Sequence, residues 1–138
     1  RALNELRCPI QESYGFNGFV QIFEGGAIYW QTETNEFWAI SPSTLTGPGS
    51  FWKVDQPPEI PLPLINAPDG TFIPQGPVKD AWLSESALRS ELGFAIFEMQ
   101  ENDINVQRFQ GGTLFLDVTV GQVFALLVDG SVIGPIER

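Results

Sequence analysis

Two stretches of the chain share one pattern of apolar and polar positions, at a separation of 86 residues. Residues 5–40 align without gaps to residues 91–126, and ten of these 36 positions are identical. Within them, the segment FEGGAIYW at 23–30 corresponds to FQGGTLFL at 109–116. A match of this length at a single separation indicates an internal repeat. The sequence therefore predicts two copies of one structural unit.

Each copy has the pattern of a short helix followed by three strands. Ser84 or Ser86 can cap a helix that contains Leu88 and Leu92, and Gly93 can end it in a left-handed conformation. A Gly-Gly pair follows the first strand of each copy and can provide the positive φ angles of a two-residue hairpin turn. The predicted strands are 19–23, 27–31 and 37–40 in the first copy and 105–109, 113–117 and 123–128 in the second.

The fold class that follows is mainly all-β, with two tandem three-stranded β-meander units that are each preceded by a short helix. A Pro-rich segment, residues 55–80, connects the first unit, residues 1–54, to the second unit, residues 81–138. Its prolines favour extended backbone, and apolar residues such as Ile60 and Phe72 predict that it packs against the units. The first copy lacks the Trp-containing stretch that precedes the second, so we expect the first unit to be N-terminally incomplete, with further sequence before Arg1.

The alternation of residues along the hairpin strands separates two faces of each unit. Ile28 and Trp30 share one face, which their size and apolar character predict to be core. Tyr29 and its counterpart Phe115 share the other face, and two interpretations stay open: an exposed aromatic platform that stacks on sugar rings, or burial under a second layer. Further candidates for stacking on a glycan are Phe37, Trp38 and Trp52.

Charge and composition exclude several classes of function. The chain carries 7 basic and 17 acidic residues, a net charge of −10, which disfavours binding to nucleic acid or to an anionic membrane surface. No stretch is long and apolar enough to insert into a membrane. The chain contains no histidine and one cysteine, which removes Ser/His/Asp and Cys/His nucleophilic sites and most zinc sites. We therefore expect no bound metal and no cofactor.

Glu12 and Glu98 occupy matching positions in the two copies. Glycoside hydrolysis uses a pair of carboxylates, so a hydrolase that works with carboxylates alone is a remote alternative. A structural role in a turn explains the recurrence better, because a repeat reproduces such a residue in each unit, whereas an acid/base pair has no need of matching positions.

Cys8 aligns with Phe94, which is an apolar position. A buried thiol that behaves as a small hydrophobic residue accounts for it. An exposed thiol that forms an intermolecular disulfide is the alternative.

The segments LRCPIQE at 6–12 and VQIFEGGAIYW at 20–30 resemble the LGFP repeat of bacterial cell-surface and secreted proteins. The second copy contains the run Leu92-Gly93-Phe94, with Ala95 in the place of the family's proline, whereas the first copy keeps Pro9. The motif positions on which the resemblance rests are Leu6, Phe23, Gly25, Gly26, Trp30, Leu92, Gly93, Phe109, Gly111 and Gly112. The resemblance implies an all-β unit outside the cytoplasm, without catalytic residues of its own, that holds envelope polysaccharide.

The function expected from these observations is that of a non-catalytic module, at the bacterial cell surface or secreted, that binds envelope or extracellular polysaccharide. The rival hypothesis is a structural subunit of an extracellular assembly, such as a fibre or a surface layer. In that assembly, self-association or a neighbouring chain completes the first unit. The two hypotheses differ in the expected mass in solution, because the binding module is self-contained and the subunit is oligomeric.

Overall fold

The computed structural model describes residues 6–137, with the backbone alone at Glu137. The helix predicted to lead the first unit falls largely on residues 1–5 and lies outside the described residues. The elements are β1 (Tyr14–Phe23), β2 (Gly26–Gln31), β3 (Glu36–Ser41), β4 (Gly49–Asp55), α1 (Gly76–Ser84), α2 (Ser86–Leu92), β5 (Gln100–Phe109), β6 (Gly112–Asp117), β7 (Gln122–Leu127) and β8 (Ser131–Glu137).

The eight strands form one closed antiparallel barrel in the order β1-β2-β3-β4-β8-β7-β6-β5. Strands β1–β4 form a first meander and β5–β8 a second, and the two join at two seams, β1 with β5 and β4 with β8. The prediction of a mainly β fold is confirmed, but each predicted meander is one strand short. The pattern of β8 is interrupted by Gly134 and Pro135, which weaken a strand signal, and β4 follows a long loop.

The seam between β1 and β5 relates the two meanders by a simple shift. It pairs residues 14–20 with residues 100–106, and the second range is the first one moved by 86 positions. Because the pairing is antiparallel, Asn17 lies opposite Asp103 at the middle of the seam. Residues separated by 86 positions therefore lie at corresponding places at opposite ends of the barrel.

The first hairpin of each meander binds the segment that precedes the other meander. The N–H of Gly25 donates to the carbonyl of Leu92 at 2.8 Å, and the N–H of Gly111 donates to the carbonyl of Leu6, also at 2.8 Å. The adjoining backbone bonds repeat this match: Glu24 N to Phe94 O, Gln110 N to Cys8 O, Ile96 N to Ile22 O and Ile10 N to Arg108 O. We call this arrangement crossed docking, since each half of the chain completes the other.

Apolar side chains from both meanders fill the barrel interior. The buried members of this cluster are Val20, Tyr29, Trp38, Ile40, Ile104, Val106, Phe115, Phe124, Leu126 and Val132. Successive strand residues alternate between the interior and the outer surface, so the strands also contribute apolar side chains to clusters outside the interior.

The second apolar layer lies between the outer face of the first meander and the two helices. Ile28 and Phe37 on the strands pack with Val78, Trp82 and Leu88 on α1 and α2, and all five side chains are completely buried. Because helices cover this face, the first meander is buried on both sides. Burial of this kind is the main stabilising term available to short helices in water.

Helix α1 begins inside the segment that was predicted to be extended and Pro-rich. Pro77 occupies its first turn, where a missing N–H costs nothing. Ahead of the helix, Ile65 and Phe72 pack against the same outer layer, and the N–H of Ile60 donates to Asp80 Oδ1 at 3.0 Å. The Pro-rich segment is therefore attached to the barrel rather than free.

The first Gly-Gly pair is required for close packing, and the prediction that it supplies positive φ angles was wrong. Neither Gly25 nor Gly26 has a positive φ, and the turn consists of residues 24 and 25, because Phe23 pairs with Gly26. A Cβ on Gly25 would collide with the carbonyl of Glu91, and one on Gly26 with that of Ile40. Only glycine leaves room for the docked segment and the neighbouring strand.

Candidate ligand site at the barrel mouth

One end of the barrel opens into a cavity of about 470 Å³ where charged and aromatic side chains meet. We call it the barrel mouth and define it by Tyr14, Glu36, Trp38, Lys53, Asp55 and Arg108. The mouths of β-barrels are among the places where proteins bind small molecules. The charged residues come from three different strands, β3, β4 and β5.

Strand alternation explains why these side chains converge. Phe16, Trp38 and Phe51 contact the interior cluster, and Tyr14, Glu36 and Lys53 each lie two residues from one of them on the same strand. Residues two apart point to the same side of a strand. The polar residues therefore continue the inward-facing rows past the end of the apolar core.

Lys53 is the centre of the charged group. Its Nζ lies 2.9 Å from Glu36 Oε2 and 2.5 Å from Asp55 Oδ1, and 4.8 Å from the centre of the Trp38 ring. Burial alone lowers the pKa of Lys53, but the hydrogen bonds to Asp55 and Glu36 outweigh it, so that the pKa is raised above its ordinary value. Lys53 is therefore a fixed cation that holds two carboxylates at the rim.

Tyr14 is the exposed aromatic residue of the mouth. Its side chain is 39% exposed, and its ring centre lies 6.3 Å from that of Phe16. Partial burial raises the pKa of Tyr14, and the charge of Glu36 adds to this, while Lys53 and Arg108 act in the opposite direction. The phenol therefore stays protonated at neutral pH and can both donate and accept a hydrogen bond.

Trp38, a residue that the sequence singled out for stacking, lies at the floor of the mouth. Phe16 stacks on its ring at 5.5 Å between centres, the ammonium of Lys53 lies over it, and the residue is only 5% exposed. Its ring is thus engaged within the protein. The most exposed aromatic ring at the mouth is that of Tyr14.

The opposite end of the barrel provides an internal comparison. Moved by 86 positions, Tyr14 corresponds to Gln100, Glu36 to Gln122, Trp38 to Phe124, and Arg108, in the reverse direction, to Ile22. Lys53 lies on β4, whose counterpart is β8. At the place that matches Lys53, the pairing of β8 shifts in register around Gly134 and Pro135. At the positions that can be compared, the corresponding strands form without these charges, so barrel formation does not explain why Glu36 and Arg108 are present.

Of the two interpretations of Tyr29 and Phe115, the structure supports burial, and Phe37, a further candidate for stacking, is buried as well. All three are buried, with exposed fractions of 3%, 0% and 0%, because the barrel encloses the first two and the helices cover Phe37. The rings of Tyr29 and Phe115 meet edge to face at 4.9 Å. Trp52 is half-buried against the outer layer and lies outside the mouth.

Tyr29 takes part in a buried polar network instead. Its hydroxyl donates to Asp117 Oδ2 at 2.9 Å, and the Asn102 amide donates to both oxygens of the same carboxylate. Burial raises the pKa of Tyr29, and the neighbouring Asp117 charge and hydrogen bond raise it further. Because buried polar groups are costly unless they are paired, this network favours one arrangement of the interior.

Glu12 and Glu98 are exposed and do not share a site. Glu12 lies two residues before Tyr14 and Glu98 two residues before Gln100, beyond opposite ends of the seven paired positions of the seam. At roughly 3.3 Å per residue the seam spans about 20 Å, whereas the two carboxyl groups of a glycosidase lie about 5 to 9.5 Å apart.

Cys8 is exposed, so the prediction of a buried thiol was wrong. Its backbone carbonyl accepts from the N–H of Gln110 in the crossed docking, while the side chain faces solvent. The aligned position, Phe94, packs against Trp82. Cys8 thus corresponds to a hydrophobic residue that Trp82 covers, whereas Cys8 itself is exposed.

A second, more open cavity of about 820 Å³ adjoins the mouth and shares Leu127 and Val128 with it. One wall is the long loop between β3 and β4, whose Leu45 is fully exposed. The charged residues at this cavity are Arg7 and Asp129. The hydroxyl and N–H of Ser131 both donate to Asp129 and lower the pKa of that carboxyl. This cavity lacks the convergence of charges seen at the mouth, which is why we place the candidate site at the mouth.

Within residues 6–137, no three or more acidic or cysteine side chains cluster in a way that could hold a metal ion. Over the same residues, no helix has the length and apolar character needed to cross a membrane. Comparisons with family models, with curated proteins and with solved structures gave no match to this chain. The resemblance to the LGFP repeat therefore stays a prediction from the motif residues.

Proposed function

We propose that the protein is a non-catalytic module that binds carbohydrate at the barrel mouth. The observation that supports this most directly is the convergence of Tyr14, Glu36, Lys53 and Arg108 in one cavity. The corresponding positions at the other end carry no charge where they can be compared, as with Gln122 for Glu36 and Ile22 for Arg108. A charged group that the architecture does not require is best explained by a ligand.

The chemistry of the mouth fits a sugar. Hydroxyl groups both donate and accept hydrogen bonds, so they can pair with the carboxylates of Glu36 and Asp55 as well as with Lys53 and Arg108. The apolar face of a sugar ring can pack on the exposed ring of Tyr14. The four charged residues sum to zero, which suits a polar ligand with little net charge.

No catalytic step belongs to this proposal. Both carboxylates of the mouth contact the same cation, Lys53, so their surroundings are alike, whereas the two carboxyl groups of a glycosidase have different surroundings that give them different roles. We place the module at a bacterial cell surface or in secreted form on the strength of the motif resemblance alone.

The two meanders are, in this proposal, two copies of one unit that has diverged at its ends. The shift of 86 positions across the seam and the matched hydrogen bonds of the crossed docking support this. One barrel end carries the hydrogen-bonded residues Gln100, Asn102 and Asp117, and the other acquired the charged mouth.

A retention experiment tests the proposal. The protein and its Tyr14→Ala and Arg108→Ala variants are passed over insoluble polysaccharides, including chitin, cellulose, β-1,3-glucan and peptidoglycan, and titrated with soluble oligosaccharides of the same classes. We expect the parent chain to bind at least one class and each variant to bind it at least about tenfold more weakly. A tenfold weaker affinity corresponds to a loss of about 1.4 kcal/mol of binding free energy.

Gln100→Ala is the matched control, because Gln100 is the counterpart of Tyr14 at the opposite end. This variant should bind like the parent chain. Equal loss in Gln100→Ala and Tyr14→Ala, or no retention on any polysaccharide, would contradict the proposal.

A further inference from the structure

A third cavity, of about 360 Å³, lies on the outside of the barrel and shares no lining residue with the mouth. We call it the outer cavity, and its lining residues are Phe19, Gln21, Phe72, Gln75, Glu98 and Met99. It lies beside the end of the β1–β5 seam where Val20 pairs with Gln100. Residues 6–10 dock beyond the other end of this seam, on residues 108–111.

Gln21 brings a buried amide to the outer cavity. The residue is 3% exposed, and its Nε2 donates to the carbonyl of Phe97 at 2.7 Å. This bond fixes which end of the amide is the nitrogen, and no described residue donates to the Oε1 that remains. Among the described side chains, the only fully enclosed polar atom without a partner is Gln31 Oε1, so Gln21 Oε1 is open to the cavity. An unpaired acceptor in a buried position favours a ligand that donates a hydrogen bond.

Two aromatic rings and a thioether form the apolar walls of the outer cavity. Phe19 packs on Trp30 with ring centres 5.8 Å apart, and Phe72 is held by two backbone hydrogen bonds to Ala95. Met99 is 38% exposed, and its flexible side chain adapts to what it contacts. Because contacts within the protein hold both rings, the cavity is preformed, which lowers the entropic cost of binding.

The outer cavity has a negative charge. Glu98 is the one charged side chain among the described residues that line it. Glu101 lies next to it, because Glu101 pairs with Phe19 across the seam and points to the same side. The nearby Lys79 on α1 pairs with Asp80 instead, at 3.4 Å. Together with the net charge of −10, this arrangement favours a cationic ligand.

The corresponding residues of the second meander show which of these features the fold requires. Gln107, 86 positions after Gln21, likewise donates from Nε2 to a backbone carbonyl, that of Gln11. The glutamine therefore has a structural role in both halves of the barrel. Phe19, by contrast, corresponds to Asn105. The aromatic wall is thus present in one half only, and barrel formation does not explain it.

We propose that the outer cavity binds an organic ammonium ion, which is a primary amine on a short aliphatic stem. The stem packs against Phe19, Phe72 and Met99. The ammonium donates one hydrogen bond to Gln21 Oε1 and another to the Glu98 carboxylate, and the aromatic rings attract its charge. A metal ion fits less well, since calcium takes six to eight oxygen ligands. This site is separate from the mouth and does not depend on carbohydrate binding there.

The n-pentylammonium ion is the probe, and two analogues isolate its features. Pentanol keeps the stem and a donor but has no charge, whereas pentyltrimethylammonium keeps the charge but has no N–H. Met99 is the one methionine of the chain, so a carbon-13 methyl-methionine label gives one NMR signal from the cavity wall. In about 0.15 M salt, which screens long-range attraction, pentylammonium should shift this signal saturably with a millimolar Kd. Each analogue should bind at least about fivefold more weakly.

Two variants test the role of the carboxylate. Glu98→Gln removes the charge from the cavity, and Glu12→Gln is the matched control, because Glu12 is the counterpart of Glu98 beyond the other end of the seam. Both residues are exposed, so neither substitution disturbs the core. Glu98→Gln should bind pentylammonium at least about fivefold more weakly, whereas Glu12→Gln should bind it like the parent chain.

A Met99 signal that does not shift saturably, or equal affinity for pentanol and pentylammonium, would overturn the proposal. Equal affinity for pentyltrimethylammonium would overturn it too, since Gln21 would then contribute nothing. Equal losses in Glu98→Gln and Glu12→Gln would assign binding to the net charge of the chain and would likewise reject the site.

Discussion

Asn17 and Asp103 lie opposite each other where β1 meets β5, and the amide of Asn17 donates to Asp103 Oδ1 at 3.0 Å. The two residues are 86 positions apart, the same separation that aligns the two halves of the sequence. Their pairing places corresponding residues at opposite ends of one barrel. The barrel therefore has two ends of similar backbone and different side chains, and only one of them carries the charged mouth.

Crossed docking predicts that a glycine at the contact is more sensitive to substitution than a glycine in a loop. In Gly25→Ala the new methyl group meets the carbonyl of Glu91, and overpacking of this kind costs about 1 to 3 kcal/mol. Gly47→Ala is the matched control, since a Cβ there meets no atom within 4 Å, and it should change the free energy of unfolding by less than about 0.5 kcal/mol. Urea denaturation measures both, and equal effects would contradict the role assigned to Gly25.

Leu6 and Leu92 are predicted to be comparable in their contribution to stability. Both are completely buried, and each carbonyl accepts a matched bond from the other half. Leu6→Ala and Leu92→Ala should each lower the free energy of unfolding by about 2 to 5 kcal/mol. A small effect of Leu6→Ala beside a large effect of Leu92→Ala, measured by denaturation, would show that the N-terminal segment does not hold the second meander.

The stability of the barrel should decline at alkaline pH because of Tyr29. Burial, followed by the Asp117 charge and hydrogen bond, raises its pKa above the ordinary 10.0, so the folded state holds this proton more tightly than the unfolded state. The contribution is fully present below about pH 10 and is lost as the pH rises toward the folded-state pKa. Unfolding by urea at pH 8 to 11 should show a steeper decline for the parent chain than for Tyr29→Phe, and parallel declines would contradict this role.

Lys53 is predicted to affect the ionisation of Tyr14 more than the stability of the fold. Burial and the charge of Glu36 raise the pKa of Tyr14, and the Lys53 ammonium opposes them, so Lys53→Met should move the Tyr14 titration to still higher pH, which ultraviolet absorbance records by comparison with Tyr14→Phe. The ion pairs of Lys53 are partly exposed, and their loss should cost no more than about 1 kcal/mol. Lys79→Met is the control, because Lys79 pairs with Asp80 on α1, and an equal shift in that variant would contradict the geometry of the mouth.

Most of the hairpin strands could be predicted from the sequence because they depend on local signals. The alternation around Ile28 and Tyr29 and the spacing of the glycines are such signals. Barrel closure could not, because the β1–β5 seam joins residues 86 positions apart and has no local pattern. Barrel closure is also what buries Tyr29 and Phe115, since an interior exists only once the seam forms.

The candidate site was only partly predictable for a related reason. Trp38 was a sequence candidate and does line the mouth, whereas Tyr14, Lys53 and Arg108 were missed because they lie far apart in the sequence. One available signal was the alignment of the two copies itself. Positions where one copy has a charge or an aromatic ring and the other has a different type, such as Arg108 and Ile22, mark departures from the common unit.

The most direct test of carbohydrate binding at the mouth is an NMR titration of the isotope-labelled chain with whichever oligosaccharide of the panel binds most tightly. Amide and side-chain shifts should concentrate at Tyr14, Glu36, Lys53 and Arg108, and Gln100 and Gln122 at the opposite end should stay unchanged. Shifts that centre on the opposite end or spread evenly over the outer surface, with the mouth unaffected, would contradict binding at the mouth.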